Sequence, residues 1–202
     1  MSSSGYRICV LASGNGSTFQ AIVNACRSGY LQGKVITLIS NKPSAFALKR
    51  AEKEGIESIV IDSAAVPRQE YDARLLHELS IRKPDIICLA GYLRILPAST
   101  ISSFPLILNI HPALLPKFGG KGMYGINVHQ AVIAAGEKES GCTVHIVTER
   151  VDDGPTVVQR RVPVLPGDNA ESLKNRVHAE ELMAYPEAIK KLMEENHPGR
   201  LK

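Results

Sequence analysis

Apolar runs alternate with amphipathic segments along the first half of the chain, and this rhythm restricts the fold more than any other feature. Arg7-Ile8-Cys9-Val10-Leu11-Ala12 reads as a buried strand ending at Ser13-Gly14-Asn15-Gly16-Ser17. A helix is expected over 18–27, where Phe19, Ile22, Val23 and Cys26 recur at helical spacing. Residues 34–40 read as a second strand. Residues 44–54 read as a second helix, with Ser44 as N-cap and Gly55 just past its end. Strands follow at 57–62, 85–90 and 106–110, and a third helix at 68–81. Near-continuously apolar strands need cover on both faces, as a parallel sheet provides. The expectation is an α/β fold: a doubly wound, mostly parallel sheet with helices on both faces.

After Ile110 the rhythm changes. Residues 112–125 form a loop rich in Pro and Gly, too long for a casual connection. A helix at 127–135, strands at 142–149 and 156–164 and a charged helix at 170–195 follow, adding an antiparallel part at the C-terminal end. No repeat, low-complexity tract or linker divides the chain, so 1–202 is expected to be one domain.

Composition excludes several classes. The hydrophobic fraction is 44% and the charged fraction 22%, which argues against disorder. The net charge of +4 comes from scattered residues and is no nucleic-acid signature, though it suits a small anionic substrate. No apolar run approaches the ~20 residues that span a bilayer. The N-terminus lacks the basic start, apolar run and cleavage site of a signal peptide. Cys9, Cys26, Cys88 and Cys142 are isolated, with no CxxC pair. They read as free, mostly buried thiols of a cytoplasmic protein, without structural zinc.

Two places carry chemistry. The Ser13–Ser17 turn joins a strand to a helix. Its glycines allow close backbone approach, and a helix N-terminus offers free N–H groups and positive potential, which suits a phosphate. A plain tight turn is the competing reading. The dinucleotide fingerprint fails, because Phe19 stands where its third glycine belongs and Ser40-Asn41-Lys42 replace the acidic ribose ligand. No Walker A sequence exists, since Gly119-Gly120-Lys121 precedes Gly122.

The second place is Asn109-Ile110-His111-Pro112, at the carboxyl end of a strand, where ligands of open parallel sheets sit. Asn109 and His111 point to one side of an extended chain. An amide donor beside an imidazole suits oxyanion stabilisation with proton transfer, and a satisfied structural pair reads equally well. Asp152 adds a carboxylate in Val151-Asp152-Asp153-Gly154-Pro155; spacing alone leaves open whether it reaches His111. His145 and His129 read as packed or functional, and their spacings match no compact metal motif.

An ordered set of segments carries a resemblance. Ser13-Gly14-Asn15-Gly16-Ser17, Ala90-Gly91-Tyr92-Leu93-Arg94-Ile95-Leu96, Leu108-Asn109-Ile110-His111-Pro112-Ala113-Leu114-Leu115-Pro116 and Gly141-Cys142-Thr143-Val144-His145 occur in one order. Val151-Asp152-Asp153-Gly154-Pro155 and Arg176-Val177-His178-Ala179-Glu180-Glu181 complete it. Together they resemble the phosphoribosylglycinamide formyltransferases, folate-dependent enzymes of purine synthesis, over about 7–192.

The resemblance implies transfer of a formyl group from 10-formyltetrahydrofolate to the amine of glycinamide ribonucleotide through a tetrahedral intermediate. Asn109, His111 and Asp152 match the catalytic trio: oxyanion donor, imidazolium and proton carrier, and orienting carboxylate. Gly14, Asn15, Gly16, Ser17, Thr18 and Arg68 match the hold on the ribonucleotide phosphate, and Glu181 the hold on its ribose. Leu93, Arg94, Ile95, Leu96, Val147, Thr148, Glu149 and Val151 match the folate pocket, with Arg94 facing the folate's glutamate carboxylate. Residues 6–110 would then bind ribonucleotide phosphate, and 111–195 would bind folate and carry catalysis. The partners implied are these small molecules, with no nucleic acid, membrane or metal, in a monomer or homodimer. The sequence departs from the common pattern at Thr18, His178 and Leu182, and Lys121 or Tyr124 of the long loop is a candidate ligand contact.

Two alternatives stand beside this one. A formyltetrahydrofolate deformylase shares the trio but normally has an additional N-terminal domain, for which there is no room before Arg7. A non-catalytic nucleotide-binding module would have no use for the trio.

Overall fold

The structure, a computed structural model, describes residues 5–195; residues 1–4 and 196–202, the ends of the expected domain 1–202, lie outside the described residues. Seven strands among the described residues form one sheet: β1 (Tyr6–Ala12), β2 (Gly33–Ser40), β3 (Glu57–Val60), β4 (Ile86–Leu89), β5 (Ile107–His111), β6 (Glu139–Ile146) and β7 (Thr156–Pro163). The order is β3-β2-β1-β4-β5-β6-β7. The pairings among β1 to β5 are parallel, whereas β6 runs antiparallel to both β5 and β7. The fold is the doubly wound α/β arrangement with an antiparallel C-terminal addition.

Strand alternation explains why β1 from Ile8 onward and all of β4 are apolar. Ile8, Val10 and Ala12 of β1 enter one core cluster, while Cys9 and Leu11 enter the opposite one. Ile86 and Cys88 of β4 likewise face the first cluster, and Ile87 and Leu89 the second. The first face is covered by α1 (Ser17–Arg27), α2 (Phe46–Glu54), α5 (Ile126–Ala134) and α6 (Ala170–Glu195), through residues such as Phe19, Ala47, Val132 and Ile189. The second is covered by α3 (Arg68–Arg82), through Tyr71, Leu75 and Leu79, with Ile101 of the short α4 (Ala98–Ser103) packed at its margin. Each fully buried Leu, Ile or Phe contributes roughly 1.5–3 kcal/mol.

The order reverses between β1 and β4, and a crevice opens beyond their carboxyl ends. Hydrogen bonds tie its rim: the Ser13 N–H donates to the Gly91 carbonyl at 3.2 Å, and the Leu93 N–H to Ser13 Oγ at 2.8 Å. The buried Tyr185 hydroxyl of α6 donates to the Leu108 carbonyl at 2.9 Å and lies 3.2 Å from that of Leu89, fixing α6 over the same rim.

Local expectations needed correction at three places. The second helix begins at Phe46 with Ala45 at its cap position and no side-chain cap, so Ser44 is not the N-cap. The Ala47 N–H is instead satisfied by the Gly14 carbonyl at 3.1 Å, so tertiary contact replaces a capping side chain. Gly55 does close that helix in the left-handed region, at φ 66°. The sixth strand spans Glu139–Ile146 rather than 142–149, because its polar start pairs with the end of β7, Glu139 opposite Pro163. The six-residue α4 has too little apolar periodicity to read from sequence.

The four cysteines are free thiols. Burial pushes the Cys142 thiol up to about 12 and those of Cys9 and Cys88 well above the ordinary value, which makes them inert packing groups. No helix among the described residues is long and apolar enough to cross a membrane.

Candidate active site

A cavity of about 780 Å³ occupies the crevice. Its floor at one end is the loop between β1 and α1. Gly16 takes φ 77°, and a Cβ there would stand 2.6 Å from that of Ala47, so only glycine fits between the loop and α2. The N–H groups of Gly14, Asn15 and Gly16 bond no protein acceptor among the described residues. The first turn of α1 adds further free donors. This concentration of free N–H groups at a helix N-terminus suits an anion.

Above it, α6 supplies two side chains at helical spacing. His178 Nδ1 lies 2.7 Å from Glu181 Oε2, and His178 Nε2 lies 2.9 Å from Ser17 Oγ. The carboxylate thus reaches the loop through the imidazole. A His and a Glu three apart on one helix face were the available sequence signal for His178.

At the other end, β5 presents Asn109 and His111 on one side, as period-two geometry requires. Asp152 comes from the turn after β6, with φ 56°, a left-handed conformation that Asp tolerates better than most residues. Its Oδ2 lies 3.4 Å from His111 Nδ1 and accepts the Gly120 N–H at 2.9 Å. Its Oδ1 lies 3.6 Å from His145 Nε2 and 3.5 Å from Asn109 Nδ2. Burial alone would push the Asp152 carboxyl up. The contact with His145, the Gly120 N–H and the nearby imidazoles outweigh it and hold the carboxyl below the usual range.

Two carbonyls orient the imidazoles. His111 Nε2 sits 2.7 Å from the Phe118 carbonyl, so it carries a proton and donates there, turning Nδ1 toward Asp152. His145 Nδ1 sits 3.0 Å from the Ile146 carbonyl, and its Nε2 faces Asn109 Nδ2 at 3.2 Å. Asn109 Nδ2 therefore stands between an imidazole and a carboxylate, oriented from both sides.

The cavity wall between these ends is apolar and half exposed at Leu93, Ile95 and Val151. Arg94 lies with its guanidinium 4.2 Å from the Tyr71 ring centroid, and its buried Nε has no hydrogen-bond partner among the described residues. Leu96, Val147 and Thr148 also line the cavity. Lys121 and Tyr124 of the long loop reach it too.

Two expected positions fall elsewhere. Arg68 does not line the cavity: it begins α3, on the sheet face opposite α1, where it pairs with Asp72 at 2.6 Å and donates to the Ile95 carbonyl at 2.5 Å. There it braces the Leu93–Leu96 wall. Glu149 is exposed and also outside the cavity, because β6 has ended and the chain is turning; Arg150 lines the cavity instead. His129 is buried, lines the cavity and leaves Nδ1 without a partner among the described residues.

A formyl transferase family model matches residues 6–189. The chain belongs to the formyl transferase family. It is 41% identical over 184 residues to the phosphoribosylglycinamide formyltransferase of Escherichia coli, covering 90% of this chain and 84% of that protein. It is 43% identical over 191 residues to the trifunctional purine biosynthetic protein adenosine-3 of Drosophila melanogaster, covering 93% of this chain but only 14% of that protein. The crystal structure of glycinamide ribonucleotide transformylase 1 from Symbiobacterium toebii superposes with a TM-score of 0.89 at 43% identity, covering 95% of this chain and 89% of that one. Membership makes this chain a transferase and makes the cavity the place to look for formyl transfer. An amide N–H, an imidazole and an ionised carboxylate around one point suit acyl-type transfer: charge stabilisation on one oxygen and movement of one proton.

Proposed function

We propose that the chain transfers the formyl group of 10-formyltetrahydrofolate to the primary amine of glycinamide ribonucleotide. The observation that carries this reading is one cavity with an anion cradle at one end and the Asn109–His111–Asp152 group at the other. The apolar wall at Leu93, Ile95 and Val151 and the unpartnered Arg94 Nε fit a flat ring carrying an anionic tail. The donor is a substrate and supplies the formyl carbon.

In this reading the backbone amides of Gly14, Asn15, Gly16, Ser17 and Thr18 hold the phosphate, while Glu181, linked to Ser17 through His178, holds the ribose. The amine nitrogen attacks the formyl carbon, a C–N bond forms and the carbonyl oxygen takes the negative charge. Asn109 Nδ2 gives up its long contact to Asp152 and donates to that oxygen. His111, as imidazolium, gives its Nδ1 proton to the folate nitrogen as the old C–N bond breaks and regains one from the attacking amine, and Asp152 keeps the ring oriented. One oxyanion donor of this type is worth about 3 kcal/mol. Both segments, 6–110 and 111–195, line the one cavity, through Asn109 and Glu181 among others.

The test mixes purified protein with 10-formyltetrahydrofolate, with and without glycinamide ribonucleotide, following deformylation by absorbance and the formylated ribonucleotide by mass. Turnover that requires the ribonucleotide and yields its formyl product supports the transferase. Equal deformylation without the amine would establish a hydrolase instead. No turnover in either mixture would overturn both.

A further inference from the structure

The loop between β1 and α1 is held from outside the cavity by one side chain of α2. Arg50 Nε donates to the Asn15 carbonyl at 2.9 Å, and Arg50 Nη2 donates to Asn15 Oδ1 at 2.9 Å. Two parallel N–H groups of one guanidinium thus take both oxygens of a single residue. The guanidinium carbon also stands 5.2 Å from the Phe46 ring centroid, which limits its freedom. We propose that Arg50 is a positioning residue that sets the donor geometry of this loop and thereby its affinity for a phosphate monoester. The proposal rests on the reading that the loop holds the acceptor's phosphate.

The argument follows from peptide geometry. In a trans peptide the carbonyl and the next N–H point in opposite directions. Fixing the Asn15 carbonyl on Arg50 therefore turns the Gly16 N–H away from α2. With Oδ1 also taken, the side chain of Asn15 keeps only its Nδ2 donors for a ligand. Without the fork, two oxygens could rotate toward a bound anion and repel it. The Gly14 carbonyl is held separately by the Ala47 N–H at 3.1 Å. All three oxygens of the Gly14–Asn15 dipeptide thus bond α2, and this dipeptide offers donors alone. A lysine in place of Arg50 would keep the positive charge but could not grip both oxygens in this geometry.

Arg50→Lys and Arg50→Met, each in the full chain, test this. Ribose 5-phosphate is titrated by calorimetry, 5-formyltetrahydrofolate serves as a folate control, and kcat and the KM for glycinamide ribonucleotide are measured. Both variants are expected to weaken ribose 5-phosphate and raise the ribonucleotide KM about tenfold, the worth of one charge-assisted hydrogen bond. Folate affinity and kcat should stay within about twofold. Wild-type affinity in Arg50→Lys would overturn the proposal in favour of a simple charge effect. A parallel fall in folate affinity, kcat and thermal stability would overturn it in favour of a structural role. If the wild-type protein has no affinity for ribose 5-phosphate, the phosphate reading of the loop fails and this proposal fails with it; affinity unmoved by either variant sinks the proposal alone.

Discussion

His111 Nδ1 lies 3.4 Å from Oδ2 of Asp152, a strand-end imidazole facing a carboxylate delivered by a turn. Each is also held by a backbone group, His111 by the Phe118 carbonyl at its other ring nitrogen and Asp152 by the Gly120 N–H at the same oxygen. Both anchors belong to the glycine-rich loop. The long excursion after β5 therefore helps to set the geometry of this pair.

Asp152→Asn keeps the shape and tolerates the left-handed backbone at φ 56°. It removes the charge that orients His111. We expect kcat to fall by about two to four orders of magnitude with little change in either KM. Asp152→Val should in addition lower thermal stability, because a β-branched residue is strained at that φ. The carboxyl is held below the usual range, so its favourable contribution to stability is present above about pH 4 and is lost as pH falls through its own titration.

Asn109→Ala removes the donor between His145 and Asp152. Steady-state kinetics should show kcat reduced about a hundredfold to a thousandfold. An unchanged kcat would exclude Asn109 as the oxyanion donor.

Glu181→Gln and His178→Gln act on the chain that runs from α6 to Ser17. Each should raise the KM for ribonucleotide about tenfold or more and leave the KM for the folate within about twofold. A change confined to the folate KM would place this chain on the wrong substrate.

Gly16→Ala brings a Cβ to 2.6 Å from that of Ala47 at φ 77°. Denaturant unfolding should show a loss of about 2–3 kcal/mol. At Gly14 a Cβ meets nothing within 4 Å, so Gly14→Ala should alter stability by less than about 1 kcal/mol.

His129 gives a pH signature. Burial, then the charge of Lys174, hold its pKa down at about 4, so it is neutral in the fold while the unfolded chain protonates near 6.5. The unfolded state binds more protons between those values, so stability is lost as pH falls from about 6.5 toward 4. Unfolding curves at pH 7 and pH 4.5 should show a loss smaller by on the order of 2 kcal/mol in His129→Gln than in wild type.

The five parallel strands and the five longer helices packed on both faces were legible because a sheet buried on both sides demands apolar runs such as Ile8–Ala12 of β1 and the whole of β4. The loop after β1 was legible as a strand-to-helix turn from its two glycines, and the structure supplies the reason for one of them, since a side chain at Gly16 has no room. Less was visible where polar segments pair through their backbones. The start of β6 and the short α4 carry almost no periodicity, and the first turn of α2 is satisfied by Gly14 rather than by a cap.

Residue type and local spacing were enough to place Asn109 and His111 on one side of a strand end, and to put His178 and Glu181 on one helix turn. Those relations are short-range and follow from the periods of strand and helix. Folding in three dimensions was needed to bring Asp152 between His111 and His145, to carry Arg68 to the opposite sheet face, and to set Arg50 on both oxygens of Asn15. Such pairings join residues far apart along the chain. Their distances depend on how helices pack over the sheet and where the turns leave it, and no local period encodes either.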